Sequence, residues 1–130
     1  LAAGLFRQAG APRKMLSPSA RTAVLRARDL LDDRYTELVS SEALEAETGL
    51  DRYELARQFR RLMGTSSHRY LVMRRLERAK RSMMEGQGLA EAAADAGFAD
   101  QAHFTRHFRK TFGMTPGHWL ALRTASTRER

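Results

Sequence analysis

The second half of this chain repeats the first. LARQFRRLMGTSSHRYL (55–71) lies over FTRHFRKTFGMTPGHWL (104–120) without a gap, each position displaced by the same 49 residues (Leu55 to Phe104). Arg57 meets Arg106, Phe59 meets Phe108, Arg60–Arg61 meets Arg109–Lys110, Gly64 meets Gly113, Tyr70 meets Trp119 and Leu71 meets Leu120. Upstream, Gly49-Leu50 corresponds to Gly97-Phe98, with one extra residue in the second copy's turn. Apolar, basic and glycine positions coincide together, which shared helicity alone does not produce. The chain is two copies of one helical unit within 130 residues, room for one or two small domains.

Punctuation between apolar periods predicts the elements. Residues 1–20 mix Gly, Pro, Ser and Ala without a sustained period and read as a linker or the end of an upstream domain. After Ser19 the pattern turns helical, with Val24, Ala27, Leu31 and Tyr35 at helical spacing. Val39–Ser40–Ser41 offers a cap for a short helix over about 41–48 that stops at Gly49. Asp51 caps a helix to about Met63, and Ser66 caps a long one to Met84, before Gly86 and Gly88. A short helix over 89–96 ends at Gly97, and Asp100 opens another that Gly113 stops after Phe112. Thr115 and Pro116 are a cap and first-turn pair for a last helix through about Leu122. No alternation of strand type occurs, and the chain has no Ile. The expected fold is all-α: about seven helices forming two helix-turn-helix subdomains joined by a long connecting helix. The expected parts are 21–65, 66–85 (the connecting helix) and 86–122, with 123–130 as a tail.

Each copy is a short helix, a glycine-containing turn and a longer helix with a basic outer face, the plan of a helix-turn-helix whose second helix enters the DNA major groove. In the first copy Leu55, Phe59 and Leu62 form the stripe to be buried, leaving Tyr53, Ala56, Arg57 and Arg60 on another face. In the second, Phe104, Phe108 and Phe112 form the stripe, leaving Gln101, Ala102, His103, Arg106 and Arg109 outward. A single outward Arg is ordinarily just solvated. Its recurrence at one place in both copies points instead to DNA contact.

Charge is segregated in the same sense. Of 23 basic residues all but Lys14, Lys80 and Lys110 are Arg, against 15 acids, giving +8 and an isoelectric point near 10.9. Arg carries the planar fork that suits phosphate and guanine edges. Residues 29–51 hold eight acids and one base, net −7, while 52–81 hold ten bases and two acids, net +8. Such a molecule presents one surface to a polyanion and keeps the other off it.

At this level the chain resembles the AraC/XylS-type transcriptional regulators. GFADQAHFTRHFRKTFGMTPGHW (97–119) is similar to that family's C-terminal signature nearly position for position. SSHRYLVMRRLERAKRSM (66–83) resembles its connecting helix, and GLDRYELARQFRRLMG (49–64) its first recognition unit. The resemblance covers about 21–122. It implies a seven-helix domain with two helix-turn-helices that activates or represses transcription, usually under a separate ligand-sensing domain. It places base-reading positions on Tyr53, Ala56 and Arg57, and on Gln101, Ala102, His103 and Arg106. Three positions depart from the pattern: Glu45 replaces a small Ala of the first short helix, Ala92 replaces a large aliphatic residue of the second, and Ser67 stands where a first-turn Pro is common.

A connecting helix of about 20 residues spans ~30 Å at ~1.5 Å per residue, close to the ~34 Å of one DNA turn. One chain can then hold two recognition helices in successive major grooves and read two tandem half-sites of double-stranded DNA without dimer symmetry. Arg57 and Arg106 are the candidates for guanine edges. Arg52, Arg60, Arg61, Arg109 and Lys110, with the helix starts at Ser66, Ser67 and Thr115, are candidates for phosphate contacts. Ala56 and Ala102 can offer only apolar contact, such as with a thymine methyl.

Other readings carry less. His103 and His107 stand at i, i+4, but Phe104 holds the place of a zincin's Glu and no third ligand is evident, so no metal or other cofactor is expected. His107 reads as a helix-surface residue, and Met73, Leu76, Met83 and Met84 as core. No phosphate-binding loop, dinucleotide glycine pattern or nucleophile elbow is present, so no catalytic residue and no enzyme is expected. The absence of Cys excludes disulfides, thiolate-bound zinc and a thiol nucleophile. No apolar run approaches ~18 residues, so no membrane helix is expected. The alternative is a protein-interaction module docking a partner such as RNA polymerase through the acidic face or the connecting helix. Opening on Leu1 without an initiator Met or a signal-like segment, the chain reads as a fragment of a longer cytoplasmic, nucleoid-associated protein, the fragment itself a monomer.

Overall fold

The computed structural model describes residues 16–128. Among the described residues there are seven helices and no strand: α1 (Pro18–Arg34), α2 (Ser41–Thr48), α3 (Arg52–Met63), α4 (Ser67–Met84), α5 (Leu89–Ala96), α6 (Gln101–Phe112) and α7 (Pro116–Arg128). Most begin on a side-chain cap. Ser17, Ser40, Ser66 and Thr115 hydroxyls accept from the amides of Ala20, Ala43, Arg69 and His118 at 3.0–3.2 Å. The Asp51 carboxylate accepts from Tyr53 and Glu54, and Asp100 from His103. Each satisfies an amide that the first turn of a helix leaves unpaired. α2, α3, α5 and α6 all end on a glycine in the left-handed region, Gly49, Gly64, Gly97 and Gly113.

Two hydrophobic cores lie along the chain. The first gathers Val24, Ala27 and Leu31 of α1, Leu44 of α2, and Leu55 and Phe59 of α3. The second gathers Val72, Leu76, Ala79 and Met83 of α4, Ala92, Ala93 and Ala96 of α5, Phe98, and Phe104 and Phe108 of α6. Each fully buried Phe or Leu contributes ~1.5–3 kcal/mol relative to exposure, so the stripes at i, i+4 decide how α3 and α6 lie. α4 serves both. Its first turn puts Tyr70 and Leu71 against the first core, and from Val72 onward it faces the second. The connecting helix is a wall shared by two units.

Two of the departures from the family pattern have a local physical account. Glu45 turns its carboxylate onto the start of α3, where Oε2 accepts from the Arg52 amide at 2.8 Å and from Arg52 Nε at 3.3 Å. These bonds to the carboxylate hold its pKa below the ordinary value. Ala92 belongs to a fully buried Ala face of α5, with Ala93 and Ala96, in the core that α5 shares with α4.

The helix ends differ from expectation at both termini. α1 starts at Pro18, inside the segment expected to be linker, because Ser17-Pro18 is a cap and first-turn pair. Residues 1–15 lie outside the described part. α7 runs to Arg128, six residues beyond Leu122 and into the segment expected to be a tail. No Gly or Pro interrupts it after Gly117, and Arg123 lies over the Trp119 ring at 5.4 Å while reaching Met84 Sδ. Met84, expected in the core with Met73, Leu76 and Met83, is 53% exposed, because it lies about 100° around the helix from the buried Met83.

Candidate nucleic-acid interface

α3 and α6 are each anchored by one face and exposed on the other. Leu55 and Phe59, and Phe104 and Phe108, are buried, and Leu62 and Phe112 are packed against their cores. On the opposite side Tyr53, Ala56, Arg57, Arg60 and Arg61 of α3 are exposed, as are Gln101, Ala102, Arg106, Arg109 and Lys110 of α6. Equivalent open grooves run along the two helices: about 590 Å³ lined by Ala56, Arg57, Arg60, Arg61 and Gly64, and about 570 Å³ lined by Arg106, His107, Arg109 and Lys110. Three of the lining positions in each (57, 60, 61 and 106, 109, 110) are related by the sequence repeat. Both grooves therefore carry their positive charge at matching places. The helices end on these same cations, as the helix dipole favours.

The two faces are not identical. Glu54 forms an ion pair with Arg57, one turn away, and also accepts a hydrogen bond from Gln58. These bonds hold the Glu54 pKa below its ordinary value, the Gln58 bond first. The repeat puts His103 in the place of Glu54 and His107 in the place of Gln58. Their Nε2 atoms lie 3.0 Å apart, one donating and the other accepting, with the rings edge to face and both within 6.0 Å of Phe98. Burial, then the nearby His103, lowers the His107 pKa, with His68, Arg106 and Arg69 adding to it. So His103 is half-buried, with Nδ1 buried and unpartnered, and His107 is half-buried too. His103, expected outward, and His107, expected at the helix surface, are both drawn partly inward. Phe98, which closes the turn over them, is the reason. Among the described residues no group of three or more candidate metal ligands occurs.

The phosphate candidates divide. Arg60, Arg61, Arg109 and Lys110 are exposed on the recognition helices. Arg52 instead points toward α2, paired with Glu42 at 3.4 Å and Glu45 at 3.3 Å, because Glu45 also takes its amide. Ser66 and Thr115 already accept a helix amide, and Ser67 is the half-buried first residue of α4. Two arginines that the sequence did not single out connect parts of the site. Arg69 Nη2 donates to Thr111 Oγ1 of α6 at 2.8 Å, and Arg75 donates to the carbonyls of Tyr35 and Glu37. Nothing in their spacing marks them, since all three partners lie about 40 residues away.

Much of the acidic surface is used internally. Tyr70 donates to Asp32 Oδ1 at 2.6 Å, and burial together with that bond pushes its phenol up to about 12. Arg74 also reaches Asp32, at 3.3 Å, and lies over the Tyr35 ring. No helix among the described residues is long and apolar enough to cross a membrane.

Comparison with known proteins agrees with this architecture. A family model described as a helix-turn-helix domain matches residues 44–121. The transcriptional activator RhaS of Escherichia fergusonii is 34% identical over 97 residues, covering 74% of this chain and 35% of its own length. The probable transcription factor PqrA of Proteus vulgaris is 33% identical over 94 residues, 68% of this chain and 77% of its own. The DNA-binding domain of AdpA, solved in complex with a target DNA, superposes with a TM-score of 0.73 at 24% identity over 83% of this chain and 98% of its own. An AraC-type regulator from Chromobacterium violaceum superposes at 0.71 and 24% identity over 82% and 96%. The chain spans about a third of the length of RhaS. Two helix-turn-helix units on a shared helix, with that family match, make this chain a member of the AraC/XylS-type helix-turn-helix family, the DNA-binding domains of transcriptional regulators rather than a class of enzymes.

Proposed function

We propose that this chain binds double-stranded DNA as a monomer, with α3 and α6 in successive major grooves, and reads two tandem half-sites. The observation that carries the reading is the recurrence of Arg57 and Arg106, exposed at the same place on two helices whose opposite faces are buried. α4, 18 residues long, measures ~27 Å, which suits a separation near one DNA turn of ~34 Å. Arg57 and Arg106 read base edges, best matched by guanine N7 and O6. Tyr53, Ala56, Gln101 and Ala102 complete the two reading faces, and His103 does so only at its exposed edge. Arg60, Arg61, Arg109 and Lys110 bind phosphates and fix register. Within a longer regulator the module acts in the cytoplasm on the nucleoid, as an activator in the manner that RhaS is named for, with RNA polymerase as the protein partner. The test is selection of duplexes from a random pool, followed by titration of the selected site and of duplexes keeping one half. A half-site bound as tightly as the whole would refute tandem reading.

A further inference from the structure

Gly97, Arg75 and the loop between α1 and α2 meet at one point where the second unit rests directly on the first. Gly97 ends α5 at φ 102°, inside the turn that leads into α6. A methyl group built on it would lie 2.9 Å from Thr36 Cα, 2.9 Å from the Thr36 carbonyl oxygen and 2.9 Å from Arg75 Nε. The other helix-ending glycines, Gly49, Gly64 and Gly113, have nothing within 4 Å. Among these helix-ending glycines, Gly97 alone lacks a side chain for reasons of space as well as of backbone angle. Beside it the half-buried Arg75 sends Nε to the Tyr35 carbonyl at 2.6 Å and Nη2 to the Glu37 carbonyl at 2.9 Å. These carbonyls lie just past the C-terminus of α1, where the helix dipole favours a cation. Burial lowers the Arg75 pKa, yet an arginine stays charged far above neutral pH.

We propose that Arg75 and Gly97 form the joint that sets the placement of the second recognition helix relative to the first, and so fixes the half-site spacing and phase that the protein reads. The inference rests on the tandem-half-site reading for its DNA consequence, though not for its geometry. Because the second core is built on α4 while only its first turn packs on the first core, a shared helix alone would leave the first unit able to pivot about the start of α4. The contact of Gly97 with Thr36 removes that freedom three residues before α6 is capped by Asp100, and the planar guanidinium of Arg75 holds the loop that Gly97 presses on. Arg75 is a positioning residue: its Nε and Nη2 donate to the carbonyls of Tyr35 and Glu37, and no DNA contact is assigned to it.

The chain contains no Cys, so one label pair reads the joint without DNA. Ala46→Cys and Ala94→Cys, on exposed positions of α2 and α5, carry spin labels whose distance distribution is measured by pulsed electron resonance. The expected result is a single narrow distance with Arg75 present, and a broadened or shifted one in Arg75→Ala and in Arg75→Gln. On DNA, inserting 2 base pairs between the half-sites should cost the unaltered chain more than ~10-fold in affinity and either variant less than ~3-fold, with half-site binding unchanged. A broad distribution with Arg75 present, or a narrow unshifted one in both variants, overturns the proposal. So does loss of the helical far-ultraviolet signal in both variants, which would make Arg75 a residue of folding. If the unaltered chain shows no preference for paired half-sites while the label distances behave as expected, the joint stands and the DNA reading falls.

Discussion

Arg106 and Arg109 stand three residues apart on α6, both exposed, and differ in rotation by only about 60° around the helix. They nevertheless should fail in different ways when cut to Ala. Arg109, beside Lys110 in the last turn, is proposed for phosphate, with Arg60 and Arg61 as counterparts on α3. Four such contacts give a slope of about −3.6 in log affinity against log salt, at about −0.9 per phosphate. Raising salt from about 50 to about 200 mM would then weaken binding ~150-fold. Arg109→Ala, with three contacts left, should show a slope near −2.7 and a loss of only ~40-fold over the same range, with all sequences weakened alike. Arg106→Ala should instead level the preference at one base pair of the second half-site. That removes ~1–3 kcal/mol, or about 5- to 150-fold between the selected base and its replacements. Fluorescence anisotropy on the selected duplex and on its single-base variants, each at four salt concentrations, separates the two outcomes. If Arg109→Ala reorders the sequences, or if Arg106→Ala weakens every duplex equally, the division into reading and gripping arginines is wrong.

The fold itself makes further predictions. Phe108→Ala should destabilise the chain by ~3–5 kcal/mol in denaturant titration, since the ring is fully buried between Phe104, Phe112 and Trp119 and leaves a cavity. Glu45 and Glu54 have folded pKa values below their ordinary 4.5, so the stability they give is present above that value and is lost as pH falls through the folded ones. Thermal midpoints should therefore drop between about pH 5 and pH 3, and less steeply in Glu45→Gln, while a pH-independent midpoint in the unaltered chain would refute this. His107 is lowered from 6.5, so the fold favours its neutral form: its contribution is present above 6.5 and fades as pH falls through the folded value. His107→Gln, the residue type at the equivalent position 58, should make the midpoint less pH-sensitive between about pH 7 and pH 5, and proton-carbon NMR of the two rings should show His107 titrating below 6.5.

What was legible in the sequence was what is local. A serine, threonine or aspartate before an apolar period, and a glycine after it, act on amides and carbonyls within one turn, so six of the seven described helix starts carry their own mark, α5 after Gly88 being the exception. The one misread start obeys the same rule, since Ser17-Pro18 is as good a pair as Thr115-Pro116. The buried stripes were legible for the same reason: Phe59 and Phe108 are placed by a helical period, and the repeat showed the same free face twice. The repeat also held the clue to the histidine pair. Glu54–Gln58 and His103–His107 occupy matching places, and in both copies the two side chains bond across one turn.

Contacts between the units were not legible, and there is a physical reason for it. A duplicated sequence specifies the unit, because each copy meets the same neighbours inside itself. It does not specify how one copy sits on the other, since two copies in one chain cannot have the same surroundings. Gly49 and Gly97 are equivalent by sequence, and both stop a short helix in a left-handed turn. One faces open space, while the other lies against Thr36 and Arg75. Arg75 belongs to neither repeat segment, for it lies on the helix between them, and its partners Tyr35 and Glu37 lie 40 and 38 residues away. On the tandem-half-site proposal, spacing follows from contacts that only one copy makes, as at Gly97, and the identity of each half-site from the two matching reading faces. Exchanging α3 and α6 surface residues between the units should transplant base preference without changing the preferred spacing, while substitutions at 36, 75 or 97 should change spacing and leave base preference alone. A swap that moved both together would show that the recognition faces and the joint are one mechanical element, with no separation between unit and joint.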